Sequence, residues 1–306
     1  MDHADIERVC GDLLGRCRFP DGPVRLAVSG GADSLALVAL AVAHAGRRSV
    51  EVFHVDHGLR PESAVQAVAL GALMEALGLR YHSVRVEVAP GANLEARARE
   101  QRYEAMPADV CTGHTADDLA ETVLLNLVRG SGLDGMAAMA RRRPGPQRPL
   151  LSLRRAETAA LCAALGWVAV DDPMNADPRF RRVRIRREVL PLLHEVAERD
   201  VVTVLCRQAA LAADEADLLD DLASALDPTD ALSLQQAPVA LARRCLRAWL
   251  VSSGVGDGHP LSAACVERVM AVVRGDVPRA DLVGGWSVHR RAQRLSLQPG
   301  VAAERT

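Results

Sequence analysis

Apolar positions along the first half of this chain switch between two periods. Val24–Val28 is a short apolar run between Pro20-Asp21-Gly22-Pro23 and Ser29-Gly30-Gly31, which predicts a buried strand. Ser49–Val55, Tyr81–Val88 and Asp109–Thr112 predict three more. Between them Leu35–Ala45, Glu62–Leu77, Asn93–Met106 and Thr115–Val128 repeat with helical spacing, and Ile6–Cys17 predicts a lead-in helix. Gly78 suits the C-terminal cap of the helix that precedes it. Strands separated by helices at this spacing predict parallel βαβ units, hence an α/β fold with a doubly wound, mainly parallel sheet. Ligands of such sheets bind beyond the carboxyl ends of the strands. The segments there are Ser29–Ser34, Asp56–Pro61 and Gly113-His114.

After Arg141 the pattern changes. A Pro/Arg-rich loop runs to Pro149, Leu150–Leu153 reads as an edge strand and Arg154–Leu165 as a helix. Asp171–Pro178 is turn-rich, Arg179–Glu198 reads as a basic helix, and Val201–Ala225 as a long connector. The last module, about Leu232–Leu297, holds helices at Val239–Ser252 and Ser262–Arg274 and short strands around Asp281–Val288 and Arg294–Leu297. The expected organisation is a catalytic domain over 1–195, a helical connector over 196–230 and a small α+β module over 231–306.

Composition narrows the chemistry. All 37 residues counted as Lys+Arg are Arg. A Walker-type loop needs Lys on the terminal phosphates, so that loop is excluded, as are Schiff-base mechanisms. Aromatics make up only 3%, so the core must be built from Ala, Val and Leu. No membrane-length apolar run and no signal-peptide core occur in the sequence. The seven cysteines are scattered and form no CxxC pair, which favours reduced thiols and a cytoplasmic protein. The net charge of −2 conceals an asymmetry: residues 141–187 carry 12 Arg against 4 acids. A concentrated basic stretch in a mildly acidic chain implies a polyanionic partner.

Three constellations carry the candidate chemistry. Ser29-Gly30-Gly31-Ala32-Asp33-Ser34 joins a strand to a helix N-terminus, where glycines permit close backbone approach and first-turn amides face an anion. An ordinary strand-to-helix turn is the competing reading. His114, Asp117, Asp118 and Glu121 fall on one helix face at i, i+3, i+4 and i+7, a face continued by Leu124, Leu125 and Val128. That places carboxylates toward the interior, where they require a cation, a metal or a proton-transfer role. Helix capping would explain the aspartates but not the aim of Glu121 and His114. Arg179–Arg187 leaves Arg181, Arg182 and Arg186 outward beside an apolar stripe of Val183, Leu190 and Leu193, as contacts to nucleic-acid phosphates would require, an acidic protein partner being the alternative. His54, Asp56 and His57 end the second strand beside the phosphate loop and suit the nucleotide edge, with a metal site by residue type or a solvated strand end as the competing readings. Glu95, Arg99 and Arg102 share one face of a charged helix.

SGGxDS resembles the pyrophosphate loop of the N-type ATP pyrophosphatases, the adenine nucleotide alpha hydrolase-like fold. Four strings together, SGGADSLAL, HVDHGLRPES, GHTADDLAETVLLNLVRGSGLDGM and DDPMNADPRFRRVRIRREVLPLL, resemble the tRNA isoleucine lysidine synthetases over about residues 24–195. The later region is similar to that family's C-terminal tRNA-binding module only loosely. The resemblance implies that ATP adenylates C2 of the wobble cytidine in the CAU anticodon of an isoleucine tRNA, releasing pyrophosphate. The ε-amine of free L-lysine then displaces AMP to give lysidine. Ser29, Gly30, Gly31, Ala32, Asp33 and Ser34 would hold ATP, with Asp56 and His57 at its edge. Asp33 would bind Mg²⁺, and Arg99, with Arg97 and Arg102 close by, would offset phosphate charge. A lysine amine has a reference pKa of about 10.4 and must lose a proton to attack, so Asp118 and Glu121 would bind the cation and accept it. Asp33, Arg99, Asp118 and Glu121 form the implied catalytic set; Arg129, Arg181, Arg182 and Arg186 would hold tRNA. A soluble cytoplasmic enzyme, with room for a homodimer, follows. A tRNA 2-thiolation enzyme would need paired cysteines, and a glutamine-dependent synthetase a nucleophilic N-terminal Cys. A non-catalytic RNA-binding protein would not need inward carboxylates.

Overall fold

A computed structural model describes residues 3–56, 63–86, 101, 104–141, 145–170, 177–256 and 261–300. The chain divides into two compact units, Met1–Ala213 and Asp214–Thr306, a division that falls within the expected connector.

In the first unit Val24–Ala27 (β1), Val50–Asp56 (β2), Arg80–Arg85 (β3) and Cys111–Thr112 (β4) form a wholly parallel sheet in the order β3-β2-β1-β4. Helices Ala32–Ala45 (α1) and Ser63–Ala76 (α2) carry the chain from β1 to β2 and on to β3. The chain then returns to the other side of β1 to form β4. The winding therefore reverses between β1 and β4, and the cleft at that reversal is the preferred ligand position in this class of sheet. Helix α1 is apolar on every side, and every residue from Ser34 to Val42 is buried. Helices His3–Arg16 (αN) and Arg155–Ala164 (α4) pack against it. Its small residues Ala36, Ala39 and Ala41, each fully buried, let those neighbours approach closely.

Helix Ala116–Val128 (α3) follows β4. It buries Ala116 and Ala120 against Ile185, Leu190 and Val202, with Leu124 and Leu125 at the edge of that cluster. The expected apolar face is thus directed at other helices rather than at the sheet, and its last member, Val128, is 83% exposed. Leu150–Leu153 forms buried turns instead of an edge strand, because the sheet edge is taken three residues earlier. Gln147 donates its amide to Val110 O at 2.8 Å and accepts from Thr112 N at 2.9 Å. The basic helix is composite: an α-turn at Arg181–Arg184 (α5), a π-helical stretch at Ile185–Val189 and an α-helix at Leu190–Ala197 (α6). Most of the charged helix expected at Asn93–Met106 lies outside the described residues, as do His57, Arg97, Arg99, Arg102 and Asp171–Ala176. Helix Val201–Ser224 (α7) begins in this unit and ends in the next.

The second unit contains helices Ala231–Gln236 (α8), Val239–Ser252 (α9) and Ala263–Arg274 (α10) with an antiparallel sheet of Arg279–Asp281 (β5), Ser287–Arg291 (β6) and Arg294–Gln298 (β7). Leu234, Leu246, Leu250, Val269, Val273 and Val288 form its core. Asp230 caps α8 by accepting from Leu232 N at 3.0 Å, and Ser262 caps α10 through Cys265 N. The β6–β7 hairpin turns on Ala292 and Gln293, both at positive φ, which matches the twist of the strands it joins.

Candidate functional site

The two halves of the site meet across the switch point. On one side the backbone leaves β1 after Val28, whose carbonyl accepts from His54 Nδ1 at 2.8 Å. The loop then closes on itself. Ser34 Oγ accepts from the amides of Ser29 (3.2 Å) and Gly30 (3.1 Å) and donates to Gly31 O at 2.8 Å. Gly30 sits at φ +90, a conformation that L side chains rarely adopt. Among the described residues no side chain caps α1, so the amides at its start present the positive end of a fourteen-residue helix dipole to the loop. Val170 holds the loop from outside by donating its amide to Gly30 O at 2.9 Å. The expected loop residues Ser29, Gly30, Gly31, Ala32, Asp33 and Ser34 are therefore together in one cradle. Asp56 is buried at the end of β2 on the same side as His54.

On the other side Gly113 turns the chain from β4 into α3. A Cβ on Gly113 would lie 2.7 Å from Asp33 O and 3.0 Å from Ser34 N. Only glycine allows the two halves to come this close. His114 then bonds to Thr112 Oγ1 at 2.8 Å through Nδ1. Asp118 does cap the helix: its Oδ2 accepts from Thr115 N at 2.8 Å and Thr115 Oγ1 at 3.0 Å. Its other oxygen accepts from Arg155 Nη2 at 2.9 Å and Arg182 Nη2 at 3.0 Å. Capping and interior pairing are both present in one side chain.

Glu121 is 0% exposed, and both its oxygens accept from guanidinium groups. Arg182 Nε and Arg186 Nε each donate at 2.7 Å, and Arg155 adds two bonds at 3.2 Å. A buried carboxylate is tolerable only when so paired. Asp117 takes a bidentate pair from Arg154 at 3.1 Å on each oxygen and the amide of Arg155 at 2.8 Å. Arg154 also pairs with Asp200. Thr158 donates to Asp33, and Arg155 Nε lies 3.6 Å from the other oxygen of Asp33. Asp33, Asp117, Asp118 and Glu121 thus face Arg154, Arg155, Arg182 and Arg186, with Asp200 a fifth carboxylate on Arg154.

The environments differ in sign. Burial would raise Asp118, but the guanidiniums of Arg155 and Arg182 overcome it and hold the group below the usual carboxylate range. Asp117 is lowered against burial in the same way by Arg154 and Arg155. Asp33 goes the other way: burial, with Asp118 nearby, raises it against the opposing pull of Thr158 and Arg155.

Two expectations about the basic stretch need correction. Arg182 and Arg186 do not face outward. Their guanidinium groups turn inward onto Asp118 and Glu121, because three interior carboxylates without cations would be far more costly than two half-buried arginines. Arg181 and Arg129 are exposed, as is Arg187. Sequence reasoning also missed Arg154, Arg155 and Thr158. Their one visible signal was the Arg-Arg pair at the start of a helix within the basic segment. Among the described residues no cluster of three or more His, Cys, Asp or Glu is arranged to hold a metal, and no helix is long and apolar enough to cross a membrane. All seven cysteines are free thiols.

Comparison with known proteins places both units of the chain in known sequence families. The sequence model of the PP-loop domain matches residues 4–193, and that of the TilS substrate binding domain matches residues 230–296. A tRNA(Ile)-lysidine synthase of Nocardia farcinica is 44% identical over 265 residues, covering 82% of this chain and 83% of that protein. Similar relatives bear the same name in Mycolicibacterium paratuberculosis (46% identity; 82% and 81% covered) and Salinispora tropica (44%; 92% and 93%).

Proposed function

Because this chain belongs to the tRNA(Ile)-lysidine synthase family, we propose that it ligates free L-lysine to C2 of the wobble cytidine in the CAU anticodon of an isoleucine tRNA at the expense of ATP. The single observation that carries this reading is the juxtaposition of an anion cradle with an interior carboxylate pair across the switch point, at a separation that only Gly113 permits. An anion cradle alone suits many nucleotide enzymes. In the other half Asp118 and Glu121 already hold Arg155, Arg182 and Arg186, so a lysine ε-ammonium would bind there by taking the place of a guanidinium.

The proposed roles follow from what each group can do. The amides of the Ser29–Ser34 loop and the α1 N-terminus hold the β- and γ-phosphates, and Asp56 and His57 bound the nucleotide. Attack of the cytidine O2 on the α-phosphorus forms one P–O bond and releases pyrophosphate. A guanidinium from Arg99, which lies outside the described residues, offsets charge at that phosphorus. Asp118 and Glu121 bind the lysine ε-ammonium, and one of them takes the proton that must leave before nitrogen attacks C2. AMP departs as the C–N bond forms. The wobble base lies in a single-stranded loop, so it enters the cleft without unpairing a duplex.

Mg²⁺ is bound to proteins through one or two carboxylates with substrate phosphates completing its shell. Asp33, a part-buried carboxylate of the phosphate cradle that now faces Thr158 and Arg155, fits that donor set, and the ion would offset phosphate charge there. The exposed Arg129 and Arg181 remain the tRNA contacts proposed for the first unit, with Arg182 and Arg186 able to join them only on leaving Glu121. A cytoplasmic location suits the free thiols, and a homodimer remains part of the proposal.

The test is direct. Purified protein with ATP, labelled lysine and a CAU-anticodon isoleucine transcript should incorporate lysine into tRNA with matching AMP and pyrophosphate. AMP release that ignores lysine, without label in the tRNA, would overturn the reading.

A further inference from the structure

Arg155 reaches carboxylates of both halves of the site, and its backbone is anchored differently from those of the other arginines on Glu121. Its amide donates to Asp117 Oδ2 at 2.8 Å, and its carbonyl accepts from Thr158 Oγ1 at 2.8 Å. The residue before it is fixed as well: Arg154 N donates to Glu157 Oε2 at 2.7 Å, and its side chain is bidentate on Asp117. Arg155 therefore opens α4 from a braced position. Arg182 and Arg186 instead rise from a single α-turn and a π-helical stretch.

From this braced origin the guanidinium reaches three carboxylates. Nη2 lies 2.9 Å from Asp118 Oδ1, Nη1 3.2 Å from Glu121 Oε1, and Nε 3.6 Å from Asp33 Oδ2. We infer that Arg155 is a positioning residue that sets the lysine-binding carboxylates at a fixed distance from the ATP cradle. This rests on the roles proposed above for Asp118, Glu121 and the loop. The requirement is geometric: lysine nitrogen must meet C2 while the base is still joined to AMP, and a displacement of about 1 Å costs on the order of 100-fold in rate. A planar fork can span three acceptors, whereas a Lys ammonium is a compact point charge. Thr158 keeps its own bond to Asp33, so loss of Arg155 should disturb the lysine half more than the ATP half.

The experiment compares Arg155→Lys and Arg155→Met with wild type in the complete reaction, with tRNA affinity measured separately. Both variants should raise the KM for lysine by about tenfold or more and leave the KM for ATP and tRNA affinity within about threefold. A merely structural role would lower kcat in proportion to the folded fraction and leave every KM unchanged; that result would overturn the inference. An equal rise in the KM for ATP and for lysine would also overturn it. If Arg155→Met does not fold, Arg155→Lys retains the charge and decides the matter alone. Wild type separates the two levels: failure of wild type to incorporate lysine removes the functional reading, whereas normal wild type with unshifted variants removes only the role of Arg155.

Discussion

The two halves of this site are made of different materials. The Ser29–Ser34 cradle is built from backbone and small hydroxyls, closed within six residues by Ser34 Oγ. The half across from it is built from ionised side chains whose partners come from 34 to 65 residues further along the chain. Backbone amides cannot change charge or swing away, so the cradle suits an anion that is always present as polyphosphate. Side-chain carboxylates under guanidinium groups can exchange one cation for another, which suits an amino acid that must bind, lose a proton and leave as product. The contrast predicts that the carboxylate half is the fragile one in stability and the cradle the sensitive one in ATP use.

The largest effect should come from Glu121→Ala. It leaves Arg155, Arg182 and Arg186 facing a buried void without their common anion, and removing one member of a buried ion pair costs about 3–5 kcal/mol. Urea unfolding of the first unit should show it; a loss within experimental error would mean that the cluster is far more hydrated than its burial indicates. Gly113→Ala comes next. Its Cβ would press on the backbone of Asp33, an overpacking of about 1–3 kcal/mol, and should raise the KM for ATP and depress lysine transfer together. Ser34→Ala removes the acceptor for two loop amides, which is worth about 1 kcal/mol, and should affect the KM for ATP alone.

The pH dependence has a defined sign. Asp117 and Asp118 are held below their ordinary range in the folded protein, so they bind protons more readily when unfolded. Their contribution is complete above the unfolded carboxylate pKa of about 3.9 and is lost as pH falls below it toward the folded values. Asp33, raised by burial, contributes with the opposite sign, so thermal melting of Asp33→Asn across pH 3–6 checks this; a stability of that variant that rises on acidification in the window would contradict the pairing. The smallest effect belongs to Arg181→Ala. One exposed phosphate contact should weaken tRNA binding modestly and reduce the slope of log affinity against log salt by about 0.9.

The same contrast explains how much could be read from sequence. The cradle is local, so strand, glycines and helix start were legible in one string. The parallel sheet was legible too, from the spacing of four apolar runs. The inward aim of Glu121 followed from helical periodicity, but its partners did not. Arg182 and Arg186 were expected to face solvent because a basic run beside an apolar stripe looks like an exposed face. Burial of Glu121 outweighs that pattern, and helical periodicity holds no information about a carboxylate 61 residues earlier. Arg155 escaped for the same reason, since its importance arises only where α4 meets α3. Leu150–Leu153 was misread because a short apolar run is equally compatible with a buried turn.

The most direct measurement separates the two halves in one variant. In Asp118→Asn, the retained side-chain oxygen can still accept from Thr115, while the charge facing Arg155 and Arg182 is lost. Pyrophosphate exchange that depends on tRNA, and lysine transfer to preformed adenylated tRNA, would be measured side by side. The account predicts exchange within about tenfold of wild type and lysine transfer reduced by about 100-fold or more. Equal loss of both, or full retention of lysine transfer, would contradict a site divided between an ATP cradle and a lysine-binding carboxylate pair.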